Sequence, residues 1–340
     1  MRNNFVNHQV FPRPACRFLV PVPRDRQTKV REIMSQSLAL VGIGKIARKQ
    51  HIPSIAAIDG LSLVATASRN RAATVDGAEA FPDLTTLLAA RDDVTAISLA
   101  TPPGARFGDA LAALRAGKHV MLEKPPGSTL SEVETLVSEA KAQGVTLFAS
   151  WHSREAAGVK MARDWLKPRR LTTFRITWTE DVRDWHPGQD WVWSAGNLGV
   201  FDAGTNALSV MTAILPAPVH LASATLAFPE NRDTPITADL VFDSPAEISA
   251  HFDWSQPGDA HWAIEIETTD GAARLTRGGA RFETDDGVKV DAEDAEYKRL
   301  YANFLALIDV GRSDVDLSPM RHVADAFLLG RRVQVAPFHW

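Results

Sequence analysis

Cysteine is almost missing from this chain of 340 residues: Cys16 stands alone. With no second thiol in the chain, neither an internal disulfide nor a clustered-cysteine zinc site can be built. Such cysteine usage suits a reducing compartment, so a cytoplasmic location is expected. No apolar run approaches the ~18 residues of a spanning helix, and the mean hydropathy is −0.12. No membrane is expected as a partner. Basic helices and aromatic-plus-basic stripes are also missing, and the net charge is −4, so no nucleic acid is expected either. None of the ten histidines has the paired spacing of a zinc protease, and the carboxylate-rich stretch 285–296 lacks calcium-loop spacing; no metal is expected. The remaining composition, 45% hydrophobic and 23% charged, describes a soluble two-domain chain that handles a small molecule.

Tryptophan is missing too, but only from the first 150 residues; all nine fall from Trp151 onward. The chain therefore changes character near that point. Residues 1–33 differ again, with seven basic against two acidic residues, a net of +5 that leaves −9 for the rest. Prolines at 12, 14, 21 and 23 interrupt any helix or signal-peptide centre there, so residues 1–33 are expected to be a disordered tail. Met34, directly before the first strand-like run, is a candidate for the true start.

From 34 to 150, apolar runs alternate with helical segments, the pattern of a doubly wound parallel α/β sheet of Rossmann type. Strands are predicted at Leu38–Val41, Leu63–Ala67, Val94–Leu99, Val120–Leu122 and Val145–Phe148. One helix runs over Phe107–Ala116 before Gly117, and another opens with Thr129 and Glu132 in capping-box spacing and closes at Gly144. From 151 to 340, alternation at Thr173–Thr179, Ala238–Phe242, Glu247–Phe252, Ala263–Thr268 and Ala273–Thr276 predicts an α+β domain with a mostly antiparallel sheet. Asp270-Gly271 and Asp286-Gly287 suit hairpin turns. Helices near 154–166, 204–214, 297–310 and 318–332 are expected to cover one face of that sheet.

Gly42-Ile43-Gly44-Lys45-Ile46-Ala47 is a G-x-G-x-x-A sequence between the first strand and the first helix. Gly42 permits the tight turn, Gly44 admits a pyrophosphate, and Ala47 keeps the helix close to the sheet. Gly42, Gly44, Lys45 and Ile46 are thus candidate dinucleotide contacts. At the end of the second strand, where NAD enzymes carry an acidic residue, stand Ser68 and Arg69. A hydroxyl and a guanidinium suit a 2′-phosphate, which favours NADP with NAD possible. Arg69 could equally cover the surface or stack on adenine.

Taken with that motif, Ala100-Thr101-Pro102-Pro103, Gly117-Lys118-His119-Val120 and Glu123-Lys124-Pro125-Pro126-Gly127 resemble the superfamily of glucose-fructose oxidoreductase, inositol dehydrogenase and rhizopine catabolism (Gfo/Idh/MocA). Trp151-His152-Ser153, Trp185-His186-Pro187-Gly188-Gln189, Asp202-Ala203-Gly204-Thr205-Asn206 and Ala324-Asp325-Ala326-Phe327 make the chain similar to its bacterial branch of D-galactose and L-arabinose 1-dehydrogenases. The likeness runs over roughly 34 to 335. It implies NAD(P)-dependent oxidation of an aldose at C1 to the aldonolactone, by an enzyme that can be a homo-oligomer. L-Arabinopyranose matches D-galactopyranose at C2, C3 and C4, so a pocket reading those hydroxyls would accept both.

The resemblance places Thr101, Pro102, Glu123 and Lys124 at the cofactor, with Lys124 beside the reacting carbon. Many relatives carry an aspartate and, four residues later, a histidine that acts as base; here the pair is Asp202 and Asn206. Asn206 cannot serve as a base, so the acid–base role passes to Asp202, alone or sharing its proton with Lys124. Asp202 as a helix N-cap is the plainer alternative. By the same likeness His152 and Glu180 bind sugar hydroxyls, while Trp185 and Trp262 offer flat apolar faces; each could instead be core. Trp191, Trp193 and Trp254 have no assignment. Two other readings remain open: a D-xylose or D-glucose dehydrogenase of the same superfamily, and a non-catalytic sugar or dinucleotide sensor.

Overall fold

Two sheets account for the architecture of this computed structural model, which describes residues 35–70 and 73–340. The expected tail over 1–33, Cys16 and the proposed start at Met34 lie outside the described residues. The first sheet is built from β1 (Gln36–Val41), β2 (Leu61–Ala67), β3 (Glu79–Phe81), β4 (Ala96–Leu99), β5 (His119–Glu123) and β6 (Leu147–Ser150). All its pairings are parallel, in the order β3-β2-β1-β4-β5-β6. Leu38, Ala39, Leu40 and Val41 are buried on both faces, which is why this strand reads as a continuous apolar run.

The covering helices follow their local signals. Beyond β1 a π-helical turn over Ala47–His51 leads into α1 (Ile52–Ala56), followed by α2 (Leu84–Ala90), α3 (Pro103–Arg115) and α4 (Leu130–Gln143). The capping box at Thr129 and Glu132 is formed, and Gly144 ends α4 with φ 66°, a conformation that favours glycine. The helix expected from Phe107 begins a turn earlier, because Pro103 at its first position needs no N–H partner. The edge strand β3 has no counterpart in the sequence reading: three residues, two of them exposed, carry no periodicity.

The second sheet has nine strands: β7 (Leu171–Thr179), β8 (His220–Pro229), β9 (Thr237–Asp243), β10 (Glu247–Asp253), β11 (His261–Thr268), β12 (Gly271–Thr276), β13 (Arg281–Thr284), β14 (Gly287–Asp291) and β15 (Arg331–Val335). Their order is β14-β13-β12-β11-β7-β10-β9-β8-β15. Only the β7–β10 and β8–β15 pairs are parallel; the others are antiparallel. Alternation decides which face is buried, as in β9, where Ala238, Leu240 and Phe242 point to the core. Against that face pack α5 (Val159–Leu166), α7 (Phe201–Ile214) and α9 (Ser318–Leu329), while α6 (Val182–Trp185) is a single turn beside the end of β7.

Two helix expectations need correction. The segment read as 297–310 is α8 (Glu296–Asp309), and it covers the first sheet rather than the second. Tyr297, Leu300, Tyr301, Phe304 and Leu305 share a core with Leu38, Ala96, Met121 and Phe148. The segment read as 318–332 stops at Leu329, and residues 331–335 become a strand. Gly330 allows that exit: a Cβ there would lie 2.3 Å from the Ala326 carbonyl oxygen. Both sheets belong to one compact unit, and no described helix is long and apolar enough to cross a membrane.

The Phe304 ring is fully buried and stacks on Phe148 at 6.2 Å. Phe304→Ala should therefore cost about 3 to 5 kcal/mol of unfolding free energy, measured by urea denaturation; a loss under about 1 kcal/mol would mean that α8 is not core to the first sheet.

Candidate active site

In an open parallel sheet, ligands sit beyond the carboxyl ends of the strands, where the strand order reverses. Here that point lies between β1 and β4. Gly42 follows β1 with φ 89°, and a Cβ on it would stand 3.0 Å from the Ala100 carbonyl carbon and from Thr101. Only glycine lets the two loops meet so closely. A Cβ on Gly44, by contrast, would meet nothing within 4 Å, which leaves a cradle at the start of the helix. Lys45 and Ile46 are exposed beside it. Thr101 Oγ1 is buried without a hydrogen-bond partner among the described residues, and Pro102 is exposed next to it. An open glycine turn and an orphaned hydroxyl at the switch point fit a dinucleotide. At the end of β2, Ser68 Oγ accepts the Asn70 N–H at 3.3 Å, and Arg69 is exposed.

Lys124 follows directly on β5, and its backbone is held from both sides. The buried Arg106 guanidinium on α3 donates to the carbonyls of Thr101, Glu123 and Pro125, tying the loop after β4 to the loop after β5. Burial pulls Arg106 down to about 10, which still leaves it charged near neutrality. Glu123 is buried, and its carboxylate accepts from His51 Nε2 at 3.3 Å, from the Tyr297 hydroxyl and from the Lys124 backbone N–H. The network continues from His51 Nδ1 to the Tyr301 hydroxyl at 2.7 Å and from there to Ser98 Oγ at 2.9 Å. Burial alone would raise Glu123; His51, His152 and Tyr297 more than offset this and hold it down at about 2.

The Lys124 side chain turns toward α7. Its Nζ donates to the Asp202 carbonyl oxygen at 3.0 Å and to Asp202 Oδ2 at 3.1 Å. The same carboxylate oxygen lies 3.3 Å from His186 Nε2. Burial works against the charged carboxylate, but Lys124 and His186 outweigh it and keep Asp202 well below the usual range. Asp202 is not the helix N-cap; that position is Val200, and Asp202 lies one residue inside the helix. Within the segment 201–211, only Asp202 and Asn206 are not buried, so one turn presents both to the same side. The Asn206 side chain makes no hydrogen bond among the described residues. Gly204 brings this turn close to the second sheet: a Cβ there would stand 3.1 Å from the Phe252 ring.

Glu180, at the end of β7, is 5% exposed. Two indoles donate to it, Trp254 Nε1 to Oε1 at 3.0 Å and Trp262 Nε1 to Oε2 at 2.8 Å. Burial raises its pKa despite those bonds. Trp262 stacks on Trp178 at 5.6 Å and meets Trp185 at 5.3 Å, and Trp185 is 39% exposed. His152 follows β6; its Nδ1 pairs with Glu296 at 2.5 Å and its ring stacks on Tyr297. Burial would depress its pKa, yet Glu296 and Glu123 raise it overall. The described residues hold no group of three or more His, Cys, Asp or Glu arranged for a metal.

Several of these residues escaped the sequence reading as functional. His186 was visible inside the Trp-His-Pro-Gly run but without a role, and Trp254 had no assignment. Arg106, His51, Glu296 and Tyr297 carry no local signal, since each acts on a residue remote in sequence.

Residues 37–150 match the Gfo/Idh/MocA oxidoreductase family, described as having an NAD-binding Rossmann fold. The chain is 42% identical to a galactose 1-dehydrogenase of Pseudomonas fluorescens over 304 residues, 89% of this chain and 98% of that one. It also resembles the crystal structure of a D-galactose-1-dehydrogenase protein from Rhizobium etli, with TM-score 0.86, 50% identity and coverage of 90% of this chain and 99% of the other. KijD10, a 3-ketoreductase from Actinomadura kijaniata solved with NADP and TDP-benzene, shares the fold at TM-score 0.77 and 19% identity, over 88% of this chain and 99% of that one.

Glu123 generates a test of its own. A carboxylate held below its ordinary value of 4.5 contributes stability that is complete above that value and lost as pH falls toward about 2. The stability gap between the wild type and Glu123→Gln, from urea midpoints, should narrow between about pH 7 and about pH 3; a constant gap would mean that the charge is not what stabilises this network.

Proposed function

Because the chain belongs to the Gfo/Idh/MocA oxidoreductase family, we propose that it oxidises D-galactose or L-arabinose at C1 to the aldonolactone, with NADP preferred over NAD. The observation that carries this reading is the Lys124–Asp202 pair at 3.1 Å, formed where the residue after β5 meets α7. The likeness to galactose 1-dehydrogenases along most of the chain supports the substrate class. In this reading residues 34–150 hold the dinucleotide and residues 151–340 supply most of the sugar site.

When bound, the nicotinamide supplies the carbon that accepts hydride. The protein orients the sugar and moves the hydroxyl proton. Lys124 Nζ donates a hydrogen bond to the C1 oxygen and stabilises charge developing there. As Lys124 Nζ passes one of its own protons to Asp202 Oδ2 it takes up the hydroxyl proton, and His186 on the same oxygen accepts the proton from Asp202, the contacts being 3.1 and 3.3 Å. Asn206, on the same side of α7, offers its amide to a neighbouring hydroxyl. Glu180 already accepts an indole N–H on each oxygen, and its remaining lone pairs accept from sugar hydroxyls. His152, with Nδ1 engaged by Glu296, presents Nε2. Trp185 and Trp262 cover the C–H face of the ring. At the other end, Ser68 and Arg69 meet the 2′-phosphate, since a guanidinium pairs with phosphate and no carboxylate stands there to repel it.

Formation of reduced nicotinamide is the direct test, run with D-galactose, L-arabinose, D-xylose and D-glucose against NAD and NADP in turn. Turnover confined to the first two sugars is expected, and turnover of none of the four would overturn the proposal. Lys124→Ala should lower kcat by at least ~10²-fold, and retained activity would remove Lys124 from the chemistry. Ser68→Asp should shift the ratio of kcat/KM values from NADP toward NAD; an unchanged ratio would place the phosphate elsewhere.

A further inference from the structure

One wall of the proposed sugar site, the stretch that carries Trp185 and His186, has little regular structure: a single helical turn at α6 and a 3-10 turn over Asp190–Trp193. Short turns of this kind do not hold a position by themselves. Thr234 and Asp233 donate to the carbonyls of Val192 and Trp193 at 3.2 and 3.1 Å, and residues 338–340, far along the chain, supply further holds.

Those three residues grip the wall near both ends. On one side, Arg183 donates to the His339 carbonyl at 2.9 Å, and its guanidinium lies 4.5 Å from the centre of the Phe338 ring. On the other, the Trp340 indole donates to Asp190 Oδ1 at 2.8 Å, an oxygen that also receives Arg232 at 3.0 Å. Phe338 is itself anchored: Asn231 pairs with its backbone in both directions, at 2.9 Å each way. Its buried ring meets Trp193 at 4.9 Å, Trp193 meets Trp254 at 5.7 Å, and Trp254 reaches Glu180 at 3.0 Å and the His186 ring at 5.4 Å. An unbroken file of aromatic rings therefore runs from Phe338 to the groups assigned to the sugar.

We propose that Phe338 and Trp340 are positioning residues for the sugar pocket: they fix the wall over residues 183–193, and through it Trp185, His186 and Glu180, without touching substrate or cofactor. The proposal rests on the sugar-binding reading above. Packed side chains transmit position because interiors are close-packed and shift as units rather than yielding locally. Displacing the wall loosens contacts made to the sugar while leaving the cradle at Gly42 and Gly44 as it was, so affinity for sugar and affinity for the dinucleotide respond differently.

Trp340→Ala is the informative variant, since that side chain is 39% exposed and its loss opens no buried cavity; Trp340→Phe keeps a ring and removes only the N–H. Two readouts apply. Hydrogen exchange in the wild type should show protection at the His186 and Gln189 amides, which bond to the carbonyls of Val182 and His186, and Trp340→Ala should speed exchange across 183–193 alone. In kinetics, Trp340→Ala should raise KM for sugar by about fivefold, the worth of roughly one hydrogen bond, with the cofactor KM unchanged and Trp340→Phe intermediate. Unchanged exchange over 183–193 would overturn the proposal, as would faster exchange spread evenly over the protein, or an unchanged sugar KM despite a loosened wall. If the wild type turns over no aldose, the exchange measurement alone decides: selective loosening upholds the strap while the proposed substrate falls.

Discussion

The ion pair between Lys124 and Asp202 is the constraint around which the rest is arranged. Both side chains are largely withdrawn from water, at 15% and 21% exposure, and charges so placed are costly unless their geometry is held. The hold is supplied on each side by different means. Lys124 is set by its backbone, through a guanidinium that binds three carbonyls and a carboxylate that caps the lysine N–H. Asp202 is set by a helix whose glycine allows it to lie against Phe252. A third group, His186, shares the aspartate oxygen. The pair therefore joins the end of a parallel strand to a helix over the second sheet.

Around this pair the two sheets contribute unlike chemistry. The first offers open backbone, glycine turns and an unpaired hydroxyl, features suited to a ligand rich in phosphate. The second offers indoles and a carboxylate already bonded on both oxygens. A carboxylate placed in that way can only accept, so in the proposed reading it would select hydroxyl donors at fixed positions. Loss of a required hydroxyl leaves buried lone pairs unsatisfied, which is penalised far more than a missing methylene. In the same reading, distinction among sugars differing only at C5 would fall to apolar shape, a weaker filter.

How far the sequence was legible follows the range of each interaction. The capping box of α4, the glycine at its end, the turn at Gly42 and the alternating strands of the second sheet are local, and each was readable. So was the meeting of Lys124 and Asp202, through resemblance rather than through spacing. What the sequence hid acts across long separations: Glu296 reaches His152 over 144 residues, and Tyr297 reaches Glu123 over 174. Amphipathic periodicity announces that α8 buries one face, yet says nothing of which sheet receives it. His186 was hidden for another reason. It stands at the site in space but outside the helix on which the aspartate and its i+4 neighbour lie, and only the fold brings it to the same oxygen.

The π-helical turn over Ala47–His51 has a consequence for how the chain can change. A π-turn carries about one residue more than an α-turn, and that surplus decides which way His51 faces. Removing it would rotate every later side chain by about 100° around the axis, swinging the imidazole away from Glu123 while Gly42 and Gly44 stayed in place. The segment is thus a spacer of counted length. Its exposed position Lys49 carries no contact in that network, whereas a deletion or insertion within the turn would sever the nucleotide turn from the buried network that sets Lys124.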